Sequence, residues 1–221
     1  MNVLVIAPHR DDEVLGVGGT ILKRKAAGDS ITVCIVTARE GEELPPETLT
    51  TRIRRELRAA HSLMGVDRYI GFPFAPNILE TYSRKELNKA FLDAIVAAQP
   101  EEVFLPFWGD MQKDHQLVTE AAMVALRAKY EHPVKRIYAY ETLSETGIGY
   151  PTAEKAFIPN VYVDISDFLE KKLDAMRCYE SQVGAFPDLR STEAIESLAR
   201  FRGATVNAAA AEAFMLIREI Q

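Results

Sequence analysis

The chain has 221 residues, of which 48% are hydrophobic and 26% charged, with a formal net charge of -6. That length suits one medium-sized domain, and the acidic balance offers no footing for nucleic acid or an anionic membrane. Two isolated cysteines, Cys34 and Cys178, make no disulfide framework. With no basic leader and no apolar run of about 18 residues, a cytoplasmic protein without a membrane span is expected.

Val3–Ala7 is a continuous apolar run and reads as a buried parallel strand. It ends in Pro8-His9-Arg10-Asp11-Asp12-Glu13, after which Val14–Leu22 opens a helix expected to run on to Ala27 and stop at Gly28-Asp29. Ile31–Thr37 is a second buried strand, so the opening forms a strand–helix–strand unit with a right-handed crossover. Gly16-Val17-Gly18-Gly19 lacks the spacing of a dinucleotide fingerprint, and the acidic cluster lies where a pyrophosphate would sit. A dinucleotide is excluded on both counts.

A polar loop, Ala38–Pro46, follows at the same sheet end as His9. Thr51–Met64 has helical apolar spacing. Its arginines form a solvated face, except that Arg52, near the start, is placed to reach an anionic part of a substrate. His61, in mid-helix, is expected to be structural. Arg68–Phe72 is a short strand, and Ser83 with Glu86 makes a capping box for a helix ending at Gln99. Val103–Phe107 is the next core strand. It leads into Trp108–His115 and then a helix over Gln116–Ala128. His132, beside Pro133, reads as a turn residue. Strands at Arg136–Glu141 and Val161–Ile165 follow, then a helix capped by Ser166 and reaching Tyr179. Ser191–Arg202 and Asn207–Ile220 are expected to be helical, broken at Gly203. With no repeat or linker, residues 1–221 are expected to form a single domain. The fold class is α/β, a Rossmann-like three-layer sandwich with a mostly parallel sheet.

In such sheets, ligands bind at the loops leaving the C-terminal ends of strands. The first of these loops holds one imidazole and three carboxylates within five residues, His9 to Glu13, a repulsive set unless a cation lies among them. His9 and Asp12 are ligand types that zinc accepts, leaving Asp11 free to handle a proton. His115 repeats the position of His9 after a later strand, and Asp114 is placed to orient an imidazole or contact a substrate. The alternatives are a helix N-cap at Asp11 or Asp12 and a hydrogen-bonded loop histidine. Two histidine-bearing loops on one sheet end favour the metal.

Residues 8–13, followed by Leu15-Gly16 and Gly18-Gly19, resemble the His-Pro-Asp-Asp-Glu signature of the PIG-L/LmbE-like N-deacetylases. Gln112-Lys113-Asp114-His115 is similar to that family's His-x-Asp-His motif. Arg52–Gly65, Tyr140–Thr146 and Arg190–Phe214 also have the family's look. The resemblance implies one catalytic Zn²⁺ per chain on His9, Asp12 and His115, with other divalent metals such as Fe²⁺ as substitutes. It implies Asp11 as the base for an attacking water, and an N-acetylated amino sugar, of GlcNAc type, or its conjugate as substrate. By the same analogy the protein is a homo-oligomer.

Two residues depart from the family pattern. Arg10 stands where the family has proline, and would either lower the basicity of Asp11 or meet an acidic substrate group. Gln112 stands where the family has histidine. It can donate a hydrogen bond to an oxyanion but cannot transfer a proton. The expected catalytic residues are thus Asp11, Gln112 and Asp114, with Arg10, Arg52 and Glu141 contacting substrate. Two competing readings remain: a weakly active or non-catalytic metal- or sugar-binding protein, favoured by Gln112, and a Mg²⁺ phosphoesterase on Asp11, Asp12 and Glu13. The histidines weigh against the second, since Mg²⁺ prefers oxygen ligands.

Overall fold

A computed structural model describes residues 1–43, 45, 48–129 and 134–221; His132 lies outside them. Among the described residues are seven strands, β1 (Asn2–Ala7), β2 (Ser30–Ile35), β3 (Arg68–Gly71), β4 (Glu102–Pro106), β5 (Arg136–Tyr140), β6 (Val161–Asp164) and β7 (Ala211–Glu219). The six α-helices are α1 (Asp12–Ala26), α2 (Leu49–Met64), α3 (Arg84–Ala98), α4 (Lys113–Ala125), α5 (Leu169–Arg177) and α6 (Thr192–Ala204). None of these helices is long and apolar enough to cross a membrane.

The strands form one sheet in the order β3-β2-β1-β4-β5-β7-β6, parallel from β3 to β5 and antiparallel where β7 joins β5 and β6. Alternation along β1 feeds two cores. Val3, Val5 and Ala7 pack with α1, α2, α5 and α6 on one face, while Leu4 and Ile6 pack with α3 and α4 on the other. Burial on both faces is why β1 reads as an unbroken apolar run. The result is the expected α/β fold in three layers.

Chain progression reverses between β1 and β4. From β1 it runs outward through β2 and β3, then restarts on the other side of β1 with β4 and β5. Such a reversal splays the loops beyond the strand ends and opens a crevice between them. The β1–α1 junction carries His9 to Asp12, the first residue of α1, and the β4–α4 junction carries Asp110, with Asp114 and His115 in the first turn of α4. Both histidine loops therefore flank one crevice.

The C-terminal segment differs from the sequence expectation. Residues 207–220 do not form a helix; Ala211–Glu219 are β7, wedged between β5 and β6. The alanines there favour a helix in isolation, but pairing on both sides overrides that preference. β7 also anchors α1. The buried Glu212 carboxylate accepts the Gly19 and Thr20 amides at 2.8 and 2.7 Å and pairs with buried Lys172 at 2.6 Å. Lys172 in turn donates to the Leu15 carbonyl at 2.9 Å. A satisfied ion pair is thus inserted beside the backbone of the helix that bears Asp12.

Tyr140, fully buried, lies against α1 at Gly16 and donates its hydroxyl to the Ile6 carbonyl at 2.9 Å. A Cβ on residue 16 would overlap the Tyr140 ring, so this close approach requires glycine.

Candidate metal centre and its surroundings

His9, Asp12 and His115 present ligand atoms that all lie within 4.8 Å of one another. Asp12 is central. Its Oδ2 accepts the His9 amide at 2.8 Å and lies 3.2 Å from His9 Nδ1 and 3.3 Å from His115 Nε2. The far nitrogen of each ring meets another carboxylate: His9 Nε2 is 3.0 Å from Asp114, and His115 Nδ1 is 2.8 Å from Asp110. Each imidazole is thereby held by its outer nitrogen and turns its inner one toward Asp12. Carboxylate-backed imidazoles of this kind are how metal-ligating histidines are oriented.

The electrostatics lead to the same place. Burial opposes protonation of both rings. Asp114 and Asp12 outweigh it at His9, and Asp12 with Asp110 does so at His115, raising them to about 9 and about 10. Asp12 is held well below the usual carboxylate range, against its burial, by His115 and His9. The cluster therefore demands positive charge. Asp12 Oδ1 and His115 Nε2 are buried without a hydrogen-bond partner, as ligand atoms awaiting a cation would be. Two imidazole nitrogens and a carboxylate oxygen fit a divalent metal with a position left for another ligand.

Asp11 caps α1 in a left-handed conformation, with φ 115°. Such strain persists only where surrounding contacts over-determine it. Here the Asp11 amide donates to Glu13 Oε2 at 3.1 Å, and the other Glu13 oxygen accepts the hydroxyl of buried Tyr179. The Asp11 side chain accepts from Arg190 Nε at 3.1 Å, and the same guanidinium reaches to 3.7 Å of Glu145. Burial and the adjacent Asp12 push the Asp11 carboxyl up to about 8, with Arg190 opposing. A cation on the neighbouring ligands acts in the same sense as Arg190.

The other sequence candidates lie as follows. Asp114 orients His9 rather than its neighbour His115, and is itself fixed by the Asn77 amide at 2.7 Å. Gln112 sits at the start of α4 and donates to the Asn77 side chain at 2.7 Å. Arg10 is buried and turns away from Asp11, donating to the Ala38 carbonyl, and the cation beside Asp11 is Arg190. Arg52 pairs with Glu56 at 2.9 Å and approaches Glu180 at 3.4 Å. Glu141 is engaged by Arg202 through two bonds of 2.8 and 2.6 Å, apart from the His–Asp cluster. His61 does not merely fill the core: its Nε2 reaches to 3.3 Å of Glu13. The sequence reading did not find Asp110, Arg190 or Tyr179. Asp110 had a local signal, a carboxylate in the same strand-end loop as His115.

Residues 4–126 match the family described as PIG-L, GlcNAc-PI de-N-acetylase. The chain belongs to this family. Among PIG-L relatives, it is 31% identical over 199 residues to the diacetylchitobiose deacetylase of Thermococcus kodakarensis, which covers 85% of this chain and 71% of that protein. It is 27% identical over 192 residues to a probable N-acetyl-α-D-glucosaminyl L-malate deacetylase 2 of Bacillus anthracis, covering 82% of this chain and 81% of the relative. The structure of the conserved protein TT1542 from Thermus thermophilus superposes with a TM-score of 0.80 at 26% identity, over 100% of this chain and 96% of that one. The PIG-L match spans both loops that supply the His–Asp–His cluster.

Proposed function

We propose that this protein is a zinc-dependent hydrolase that removes the acetyl group from an N-acetylated amino sugar or its conjugate. The sequence relatives matched over more than four fifths of the chain are named as deacetylases, hydrolases of amide C–N bonds. The observation that carries the reading is the convergence on Asp12 of two imidazoles, each backed by its own carboxylate, with the strained Asp11 beside them.

A divalent metal held by His9, Asp12 and His115 would supply Lewis-acid polarisation of the acetamide carbonyl and lower the pKa of the attacking water. The chain's own residues do the rest. Asp11, held by Glu13 and Arg190, takes a proton from the water as its oxygen adds to the carbonyl carbon. The C–N bond then breaks, the acetyl group leaves as acetate, and protonated Asp11 returns the proton to the sugar nitrogen. Asp110 and Asp114 keep the imidazoles in place throughout. Gln112, at the mouth of the crevice, spends one N–H on Asn77 and has its second for the developing oxyanion.

Gln112 also favours a second reading, a slow enzyme or a sugar-binding relative, because an amide tied to Asn77 transfers no proton. One experiment separates the two. Amine release by the purified, zinc-loaded protein is measured on N-acetylglucosamine, chitobiose and nucleotide- or inositol-linked GlcNAc, with Asp11→Asn as the control. Release that vanishes in the variant supports the deacetylase. Absence of release from every substrate, with zinc bound, supports the binding protein.

A further inference from the structure

A cavity also lies outside the His–Asp cluster. It is an open pocket of about 440 Å³ between α2 and the β2–β3 edge, and Arg54, Arg58, His61, Ser62 and Tyr69 contribute to its walls. Its two acidic wall residues are already engaged. Asp67 holds Lys25 with both oxygens at 2.8 Å, and Glu40 accepts from the Tyr69 hydroxyl at 3.3 Å. Among the described residues, by contrast, neither Arg54 nor Arg58 forms an ion pair with a carboxylate. Among these residues Arg54 donates to the Arg39 and Glu42 carbonyls, and its buried Nε has no partner.

Behind this wall stands Arg10. It is 7% exposed, its side chain donates to the Ala38 carbonyl, and among the described residues its Nε has no acceptor. Among the described residues no carboxylate pairs with it. A buried guanidinium with neither a counter-ion nor a full set of acceptors is costly, and proteins supply the missing charge from a side chain or a ligand. Three guanidinium groups share this corner, and the pocket in front of them is large enough for a small molecule.

We propose that this pocket is a second binding site, taking a small oxyanion (a carboxylate, sulfate or phosphate group) between Arg54 and Arg58, with the Ser62 hydroxyl as a further partner. The anion offsets the charge of Arg10, which lies between His9 and Asp11. Through Arg10 the site is connected to the loop that carries His9 and Asp11. His61 makes a second connection, lining the pocket while its Nε2 lies near Glu13.

The test is calorimetric titration of the full-length, zinc-loaded protein with sodium sulfate. Arg54→Ala and Arg58→Ala are expected to weaken binding by about tenfold or more each, the usual effect of losing a charge-assisted hydrogen bond. Asp12→Asn, which alters the metal site, is expected to leave it unchanged. Arg58 is exposed, so its variant tests the site without disturbing the core. Absence of saturable binding, wild-type affinity in both arginine variants, or loss of binding in Asp12→Asn would each overturn the proposal. Because binding is read without turnover, failure here is distinct from failure of the deacetylase reading. Amine release in added sulfate then identifies the source of the anion. A change in kcat on neutral chitobiose marks a free effector, whereas a rise in KM confined to an acid-bearing conjugate marks a group on the substrate itself.

Discussion

Asp110 Oδ2 lies 2.8 Å from His115 Nδ1, and its other oxygen accepts the Thr146 hydroxyl at 2.6 Å. That pairing fixes which nitrogen of His115 faces Asp12. Replacing Asp110 with asparagine keeps the shape but lets the amide present either a donor or an acceptor to the ring. Metal affinity is expected to fall about 10–100-fold. A competition titration against a zinc chelator, alongside a circular dichroism spectrum showing an intact fold, measures it. Unchanged affinity would remove Asp110 from the support of the site.

Asp11→Asn separates base from ligand. Zinc content is expected to stay at the wild-type level, because the proposed ligand atoms come from His9, Asp12 and His115. Turnover is expected to fall by about 10²–10⁴-fold, the usual contribution of a positioned acid–base group. By contrast, Asp12→Ala and His115→Ala are expected to lose tight zinc binding together with activity. Full activity in Asp11→Asn would sink the assignment of the base.

Gln112→His tests the mouth of the crevice. An imidazole there is expected to preserve or raise turnover, since it donates a hydrogen bond and also carries a proton. A collapse in kcat would show instead that the bond from Gln112 to Asn77, which reaches Asp114 through the Asn77 amide, shapes the site.

Gly16→Ala should be felt in stability first. The added methyl meets the ring of Tyr140, which is fully buried and fastened to Ile6. Overpacking of this kind costs about 1–3 kcal/mol. A urea unfolding series would report it as a lower midpoint, and an unchanged midpoint would mean that the ring moves freely.

The two thiols should differ in reactivity. Cys34 is fully buried in β2, where burial pushes its thiol far above the ordinary range, while Cys178 is partly exposed. With a thiol reagent in slight excess at pH 8, one cysteine per chain is expected to react in the native protein and two after denaturation. Rapid reaction of both in the native state would contradict the packing of β2.

Much of this arrangement was legible in the chain. β1 and β4 carry apolar runs that lead within a few residues into ionisable ones, the pattern left by a strand buried on both faces. His9, Asp12 and His115 could be picked out because each sits where a strand hands over to a helix. The partners were harder to see. Arg190 reaches Asp11 across 179 residues, and although it opens a stretch with the family's look, nothing beside it in the chain points to Asp11. Glu141 looked like a substrate contact from its place after β5, but Arg202 on α6 claims it. Residues 207–220 misled because alanine is the best helix former in isolation, whereas the gap between β5 and β6 exists only in the folded sheet.

The bond between Glu212 and α1 joins residues 193 apart in sequence. On the ribosome, the helix that begins with Asp12 is made almost first, yet the acid that grips its Gly19 and Thr20 amides is made almost last. A nascent chain stopped before β7 therefore holds every proposed metal ligand but lacks the clamp on the helix that presents one of them. Firm zinc retention should appear only when stalled chains are long enough for residue 212 to leave the exit tunnel. Equal retention by shorter chains would show that α1 takes its final form without the clamp.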